Sequence, residues 1–241
     1  MAPPTRVWLS TPRGRRIIEG CLLGDASISW TSQHLGTAML DMNQSMVRAS
    51  WANRVAAILN EEGLRCSAAN QWKGRSVIRG TVVERREVRR IWTISTASLG
   101  DLRAKWYVED YFPDGRALKI IPRDLELHPE TIAHWLCGDG AGGARGIRFA
   151  TNCFSEGDVD FLITELQQRF EIKASKERQR EREFLICVRR KNMQVRLKAL
   201  IEPYVDPSCL YKLEDVRPAE PGGMKPNGHW SERQRIAILA G

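Results

Sequence analysis

The chain lacks the cysteine and histidine patterns that hold zinc. None of its six cysteines forms a Cys-x-x-Cys pair, and its four histidines show neither His-Glu-x-x-His nor His-x-His spacing. No apolar run reaches the roughly 18–20 residues of a membrane-spanning helix, and the first nine residues lack the basic-then-apolar order of a secretory signal. We therefore expect no zinc site and no membrane partner.

Charge is the first positive signal. The 241 residues carry a formal net charge of +8, while the hydrophobic share of 42% and the charged share of 27% are ordinary for a globular protein. Such a length can bury the core of one domain or of two small fused domains. The basic excess favours a polyanionic partner, above all nucleic acid, although on charge alone a merely basic protein remains an alternative.

Two distant stretches of the chain read almost alike. Residues 18–26 are Ile-Glu-Gly-Cys-Leu-Leu-Gly-Asp-Ala, and residues 132–140 are Ile-Ala-His-Trp-Leu-Cys-Gly-Asp-Gly. In each stretch an apolar run of helical character ends in Gly-Asp and a small residue, and the two stretches lie almost half a chain length apart. The repeat predicts one fold unit used twice, with Asp25 and Asp139 delivered from the two copies.

Hydrophobic periodicity predicts the same order of elements in both halves: helix, strands, helix, strands, helix. The predicted helices cover residues 13–24, 45–63, 99–108, 129–137, 155–170 and 192–201. The predicted strands lie within residues 26–43, 64–96, 145–151, 171–174 and 184–189. Consecutive strands that pair with each other favour antiparallel sheets with helices on one face, which is an α+β arrangement.

The paired motifs resemble the two motifs of single-chain LAGLIDADG homing endonucleases. The resemblance covers roughly residues 15–215 and also rests on the sequence between and after the motifs. The segments that carry it are Trp-Tyr at 106–107, Phe-Pro-Asp-Gly-Arg at 112–116, Lys-Ile-Ile-Pro at 119–122, Thr-Ile-Ala-His-Trp at 131–135, Thr at 151, Phe-Ser at 154–155 and Tyr-Lys-Leu at 211–213.

The resemblance implies two pseudo-symmetric αββαββα-like repeats. Their motif helices would pack at a pseudo-two-fold axis, and two antiparallel sheets would form a DNA-binding saddle with the helices on the other face. His134 departs from the pattern, because it stands where the first motif has Gly20. The implied divisions are an N-terminal repeat over 10–112, a linker over 113–124, a C-terminal repeat over 125–215 and a Pro/Gly-rich tail over 216–241.

Phosphodiester hydrolysis needs an activated water, a cation to neutralise developing charge and stabilisation of the leaving oxygen. Asp25 and Asp139 are the predicted catalytic acids and metal ligands, for Mg²⁺ or for Mn²⁺ or Ca²⁺ at the same sites. The alternative is that each aspartate only satisfies backbone groups at a helix end. The resemblance adds the carbonyls of Gly24 and Gly138 as further ligands.

The resemblance also implies a surrounding set of cationic and polar residues. Lys119 and Lys212 fill matching positions in the two halves, and Gln44 and Arg48 match water-organising positions, with Asn152 as a weaker counterpart of Gln44. Each lysine could instead be a solvated surface charge, and Arg48 could be an ordinary polar residue on an exposed helix face.

Contacts to DNA are expected from the strands, because a two-stranded ribbon fits the major groove and basic or amide side chains read base edges there. The predicted DNA contacts are Gln33, Asn70, Gln71, Lys73, Arg75, Arg79, Arg145, Arg148, Lys173, Lys176, Arg178, Arg180 and Arg182. Arg85, Arg86, Arg89 and Arg90 are expected to meet phosphates or water, and the tryptophans are expected to serve as core anchors.

The predicted function is that of a site-specific, Mg²⁺-dependent, double-strand DNA endonuclease. It would act as a monomeric pseudo-dimer on a long target and leave 3′ overhangs. The resemblance implies an intron-encoded protein of the bacterial cytoplasm or of an organelle, either chloroplast or mitochondrion. The alternatives are an intron maturase that binds host-intron RNA, and a catalytically inactive DNA-binding protein of the same fold. The presence of both acids argues against a purely RNA-binding role and against an inactive protein, while a protein with both activities stays open.

Overall fold

The computed structural model describes residues 11–72, 74–78, 81–84, 87–143, 145–181 and 183–216, and only the backbone of 75–78 and 81–84. Its first half contains three helices, six strands and a short 3-10 turn. These elements are α1 (Pro12–Leu23), β1 (Ser27–Ser32), β2 (Thr37–Ser45), the 3-10 turn Met46–Arg48, α2 (Ala49–Glu61), β3 (Cys66–Trp72), β4 (Arg75–Ile78), β5 (Thr81–Glu84), β6 (Glu87–Thr93) and α3 (Ala97–Trp106).

The second half begins with a short strand pair, β7 (Tyr107–Val108) and β8 (Leu118–Lys119), that connects it to the first half. Its other elements are α4 (Pro129–Asp139), β9 (Gly140–Ala141), β10 (Ile147–Ala150), α5 (Glu156–Phe170), β11 (Ser175–Arg180), β12 (Glu183–Val188), α6 (Lys191–Ile201) and the 3-10 segments Glu202–Tyr204 and Pro207–Leu213. Within the described ranges, no helix is both long and apolar enough to cross a bilayer.

The two main sheets share one topology. The strand order is β1-β2-β6-β3 in the first sheet and β9-β10-β12-β11 in the second, and all the pairings are antiparallel. Numbered within each repeat, both orders place the first strand beside the second, then the fourth, then the third. The β4–β5 hairpin is an insertion between the third and fourth strands of the first repeat. The α+β class and the pseudo-symmetric repeat predicted from the sequence are confirmed.

Alternation along the strands separates a helix-covered face from an open face in each sheet. In β2, Leu40, Met42 and Gln44 are buried, while the intervening residues are only partly buried. In β10, Ile147 and Phe149 are fully buried, while Arg148 and Ala150 are only partly buried. The apolar core fills the space between each sheet and its helices. The opposite face, here called the open face, is partly exposed at β2 and β10, whereas Phe184 to Val188 of β12 are buried on both faces.

The two motif helices, α1 and α4, pack directly against each other where side chains are smallest. A methyl group built on Gly20 would lie 2.5 Å from the carbonyl oxygen of Thr131 and 2.8 Å from Cβ of His134. Gly24 and Gly138 face each other at the ends of the helices, with a built Cβ of either residue about 3.5 Å from the other's Cα. Only glycine allows this approach at position 20, so Gly20 sets how closely the two helices pack.

One predicted strand is wrong. Residues 171–174 are not extended, because Glu171 adopts a left-handed conformation with φ 54° and ends α5. The strand begins only at Ser175 and runs to Arg180 as β11. Apolar Ile172 suggested a strand, but its buried side chain packs into the core from a connection.

Candidate active site

The paired helices deliver both aspartates to one place. Asp139 is the last residue of α4, and Asp25 follows Gly24, the residue that caps α1. Because the helix ends touch at Gly24 and Gly138, the two carboxylates lie close enough to influence each other electrostatically. Burial, and then the neighbouring charge of Asp25, raise the pKa of Asp139 above its usual range, with Lys119 and Arg48 opposing the shift. The pair therefore concentrates negative charge that a cation would relieve.

Gln44 reaches this pair from β2. Its side chain is buried, and Nε2 donates to Oδ2 of Asp25 at 2.7 Å. Its Oε1 atom is also buried and has no hydrogen-bond partner. A buried carbonyl oxygen without a partner is costly, so this atom marks a place where a water or another donor belongs beside Asp25.

The two lysines occupy matching places at the helix ends. Nζ of Lys119 donates to the carbonyls of Gly24 at 3.3 Å and Ala26 at 2.9 Å. Nζ of Lys212 donates to the carbonyls of Leu136 at 2.8 Å, Cys137 at 2.9 Å and Gly138 at 3.4 Å. Each ammonium thereby satisfies carbonyls that the helix end leaves without a partner. Burial is the main cause that lowers the pKa of both lysines.

Arg48 breaks this symmetry. It lies in the first repeat, yet its Nη1 donates to the carbonyls of Cys137 at 3.1 Å and Gly138 at 2.5 Å in the second repeat. Asn152, the suggested counterpart of Gln44, is exposed and its Nδ2 lies 3.4 Å from Oε1 of Gln179. The two acids therefore have different polar surroundings, which the sequence repeat did not indicate.

The predicted carbonyl ligands already receive hydrogen bonds from cations. Lys119 contacts the carbonyl of Gly24, and Arg48 and Lys212 contact that of Gly138. Since a carbonyl oxygen has two lone pairs, a metal-binding role for these two atoms stays a prediction.

Strand register assigns the predicted DNA contacts to faces. Arg148 pairs with Cys187 and lies on the open face of the second sheet, and Gln71 lies on the open face of the first. Gln33 is exposed in the β1–β2 turn. Arg145, Lys173 and Arg180 are also exposed: Arg145 and Lys173 lie outside the strands, and Arg180 ends β11.

Three of the predicted contacts lie on the helix-covered side instead. Asn70 accepts a hydrogen bond from Arg89, which in turn bonds Asn53 of α2. Nζ of Lys176 is 2.6 Å from Glu156 and 2.8 Å from Asp160, both in α5. Arg178 alternates with Lys176 and lies 5.7 Å from the ring centroid of Phe184. Strand pairing accounts for this placement. Asn70 pairs with Arg89, which alternates with buried Ile91, and Lys176 and Arg178 pair with buried Ile186 and Phe184. A DNA-binding role for these three side chains stays a prediction.

The open face of the first sheet contains a cluster that the sequence did not single out as base-reading. Nε of Arg90 donates to Asp41 at 2.7 Å, and Nδ2 of Asn43 donates to the same carboxylate at 3.0 Å. The guanidinium of Arg90 lies over the ring of Trp92, 5.4 Å from its centroid. Alternation with buried Met42 was the signal that could have placed these side chains together.

The tryptophans divide into two groups. Trp51, Trp106 and Trp135 are fully buried, as expected for core anchors, whereas Trp92 belongs to an open face and Trp72 is 67% exposed.

Several residues that were predicted to contact DNA lie where the structure gives no description. Lys73, Arg79, Arg85, Arg86, Arg182 and the tail from residue 217 lie outside the described residues, as does the side chain of Arg75.

Two like-ordered antiparallel sheets, joined through paired helices that end in adjacent aspartates, define a two-repeat fold of the homing-endonuclease type. Residues 15–195 match the model of the LAGLIDADG DNA endonuclease family. The chain belongs to that family.

The relatives and the solved structure that match this chain have names that state different activities. The chain is 32% identical over 126 residues to the cytochrome b mRNA maturase bI2 of Saccharomyces cerevisiae, a match that covers 51% of this chain and 29% of that protein. It is 26% identical over 204 residues to the Debaryomyces hansenii maturase of the same name, and this match covers 80% of this chain and 71% of that protein. Its fold resembles that of the homing endonuclease I-WcaI bound to its DNA recognition sequence, with a TM-score of 0.66 and 18% sequence identity. The structural match covers 85% of this chain and 87% of that chain. The chain thus spans less than a third of the S. cerevisiae relative.

His134 gives the helix interface a pH dependence that can be measured. Nδ1 of this buried imidazole accepts a hydrogen bond from Nε1 of Trp51 at 3.0 Å, and burial lowers its pKa from 6.5 to about 3. Below pH 6.5 the unfolded chain takes up a proton at this residue that the folded chain does not. The contribution of the neutral imidazole to the free energy of unfolding is therefore complete above pH 6.5 and is lost as the pH falls toward 3.

Between pH 6.5 and pH 5, we expect the free energy of unfolding to fall by about 2 kcal/mol less in His134→Gln than in the unaltered protein. Urea unfolding of both proteins across pH 4–8 measures the difference. His34→Gln, at an exposed position, is the matched control. Parallel pH profiles for all three proteins would contradict a buried neutral imidazole at position 134.

Proposed function

We propose that this protein is a site-specific, divalent-metal-dependent endonuclease that cuts both strands of a long DNA target and leaves 3′ overhangs. The observation that carries the proposal is the meeting of Asp25 and Asp139 at the ends of two packed helices. A duplex has two antiparallel strands related by local two-fold symmetry. One acid from each repeat, placed at the pseudo-symmetry axis, suits hydrolysis of one phosphodiester on each strand.

The donor set fits a divalent cation that keeps much of its hydration. Among the described residues, no group of three or more His, Cys, Asp or Glu side chains could hold a metal. The protein therefore offers two carboxylates, with the orphaned Oε1 of Gln44 nearby. Mg²⁺ typically binds one or two carboxylates and takes its other ligands from water and substrate phosphates. Asp25 and Asp139 would hold the ion, which would supply a nucleophilic water and neutralise phosphate charge.

The remaining residues position and polarise the site. Gln44 fixes the Asp25 carboxylate through its amide and leaves Oε1 free to orient a water. Lys119 and Lys212 hold the helix ends in place and put positive charge beside the acids, where a pentavalent phosphate develops negative charge. Arg48 ties the first repeat to the end of α4, so it keeps the two acids in register.

Cleavage of a randomised duplex library tests the proposal. The library is incubated with the protein and Mg²⁺, Mn²⁺ or EDTA, and the new ends are sequenced. We expect one enriched long site, cut on both strands with a short 3′ stagger, in the presence of metal alone. Metal-independent ends, or ends without an enriched sequence, would refute a site-specific metal-dependent nuclease.

A second candidate function is that of an intron maturase. It is favoured by the two relatives that are named cytochrome b mRNA maturases. An RNA-folding role does not need the paired acids, so both activities could reside in one chain. Specific binding to an intron RNA that the Asp25→Asn protein retains, together with no cleavage of any duplex by the unaltered protein, would favour the maturase.

The open faces predict which side chains bind duplex DNA. Affinity should fall steeply with salt, because several phosphates are neutralised. Arg148→Gln removes a cation from an open face and should weaken duplex binding about tenfold, whereas Lys176→Gln removes a cation that is paired with α5 and should change it less than twofold. Fluorescence anisotropy at two salt concentrations measures both effects. Equal losses for the two variants would contradict the assignment of faces.

A further inference from the structure

A cavity of about 650 Å³ opens at the outer edge of the second sheet. Its walls come from α5, from the chain that enters β11 and from the end of β12. β11 is one edge strand of the sheet, and β9, which directly follows Asp139, is the other. Strands lie about 4.8 Å apart, so the width of the sheet, roughly 14 Å, separates the cavity from the strand beside the paired acids. The cavity is therefore distinct from the proposed active site.

The lining is basic and rich in hydrogen-bonding groups. Lys173 and Arg190 line the cavity, and within the described part of the chain their side chains form no hydrogen bond or ion pair with the protein. Arg189 also lines it but is paired with Glu177. No acidic residue belongs to the described lining. The neutral residues of the lining are Ile163, Thr164, Gln167, Gln168, Ala174, Ser175 and Cys187.

Lys173 and Arg190 are exposed, and two cations without an acidic partner on one concave site favour the binding of an anion. Elsewhere in the described chain many basic side chains have an acidic partner, for example Lys176 with Glu156 and Asp160, and Arg196 with Glu171. Two that lack one, on the same cavity, favour a phosphate group. The first turn of α6 adds partial positive charge, because its N-cap, Arg190, provides no side-chain cap.

The rest of the cavity suits a nucleobase. Its volume lies within the range of about 300–1,000 Å³ for small-molecule pockets. Gln167 and Gln168 each offer a donor and an acceptor for a base edge, and Ile163 offers an apolar contact. A base inside a duplex cannot enter, whereas an unpaired base of a single strand is free to do so.

We propose that this cavity binds one unpaired nucleotide of a single-stranded nucleic acid. The phosphate contacts Lys173 and Arg190, and the base enters toward Gln167 and Gln168. This inference goes beyond the proposed endonuclease and does not depend on it. RNA and single-stranded DNA carry the same recognised groups, and the test distinguishes them.

The experiment measures binding of a labelled ten-nucleotide single strand of mixed sequence by fluorescence anisotropy, in ribose and deoxyribose forms. The double variant Lys173→Gln, Arg190→Gln is compared with Arg196→Gln, Lys198→Gln, which removes the same charges from α6 outside the cavity lining. We expect about tenfold weaker binding for the first and less than twofold for the second. The salt slope should fall by roughly 0.7, because one phosphate is no longer neutralised. Tighter binding of the ribose strand identifies RNA as the ligand, and equal binding identifies a single strand of either sugar.

A second variant separates the cavity from its charge. Thr164→Trp fills the cavity from an exposed position of α5 and leaves the net charge unchanged. We expect a similar loss of single-strand affinity with an unchanged melting temperature. Unaltered binding in this variant would overturn the proposal. So would an equal loss of duplex affinity in the Lys173/Arg190 variant, because Lys173 would then be the duplex contact that the sequence predicted.

Discussion

Asp25→Asn and Asp139→Asn should each reduce double-strand cleavage by at least about 1,000-fold while changing duplex affinity only a few-fold. Each substitution removes one of the two negative charges that would hold the metal, and a loss of about 4 kcal/mol of transition-state stabilisation corresponds to that factor. Affinity should persist because the phosphate and base contacts that we propose involve side chains of the open faces and not the two acids. Single-turnover cleavage of the enriched target, with affinity measured in parallel, gives both values.

The matched control is Asp101→Asn on the exposed surface of α3. It makes the same chemical change far from the helix ends and should cleave as the unaltered protein does. Nicked duplex, in which only one strand is cut, is measured as a second readout because the two acids have different surroundings. Gln44 bonds only Asp25, whereas Arg48 contacts only the end of α4, which carries Asp139. Full cleavage by either active-site variant would show that the carboxylate pair is not the metal site.

Gly20→Ala should lower stability by about 2–3 kcal/mol and the melting temperature by roughly 5–10 °C. The added methyl group would lie 2.5 Å from the backbone oxygen of Thr131 and 2.8 Å from Cβ of His134, distances that force α1 and α4 apart. Because both aspartates end these helices, cleavage should also fall in the folded fraction. Calorimetry and cleavage assays below the melting transition separate the two effects.

Gly157→Ala is the matched control for the helix interface. Gly157 also lies in a helix, α5, but a methyl group there would have its nearest neighbour, Oγ of Ser155, 4.0 Å away. Alanine favours helix more than glycine does, so the melting temperature should stay level or rise slightly. If both substitutions had the same effect, the close approach at Gly20 would not be what limits the spacing of the motif helices.

Much of the fold follows from short-range sequence patterns. The Gly-Asp ends of α1 and α4, the periodicity of α2 and α5, and the alternation in β2 are properties of residues that are close in the chain. The strand predicted at 171–174 failed because Glu171 takes a left-handed turn after α5, and that conformation depends on the local chain direction rather than on hydrophobicity. The tendency to form an element is local, whereas its exact end is set by contacts.

The sheet face on which a strand residue lies is likewise set in part by local sequence and in part by contacts between distant residues. Asn70 follows Cys66 and Ala68 at alternate positions, so the sequence contained a signal that it lies on the helix-covered face. Lys176 offered no such signal, since its face is set by pairing with Ile186 and by Glu156 and Asp160 across a connection.

The sequence by itself determined the doubled unit, the two acids and the basic character of the chain, because a repeat and a charge balance can be read without coordinates. Only the tertiary structure decided that Arg48 reaches the end of the other repeat's helix and that Trp51 donates to His134. It also decided that Lys173 and Arg190 share a cavity. These contacts join residues far apart in the chain, and their geometry depends on how two whole repeats pack, which local propensity does not encode.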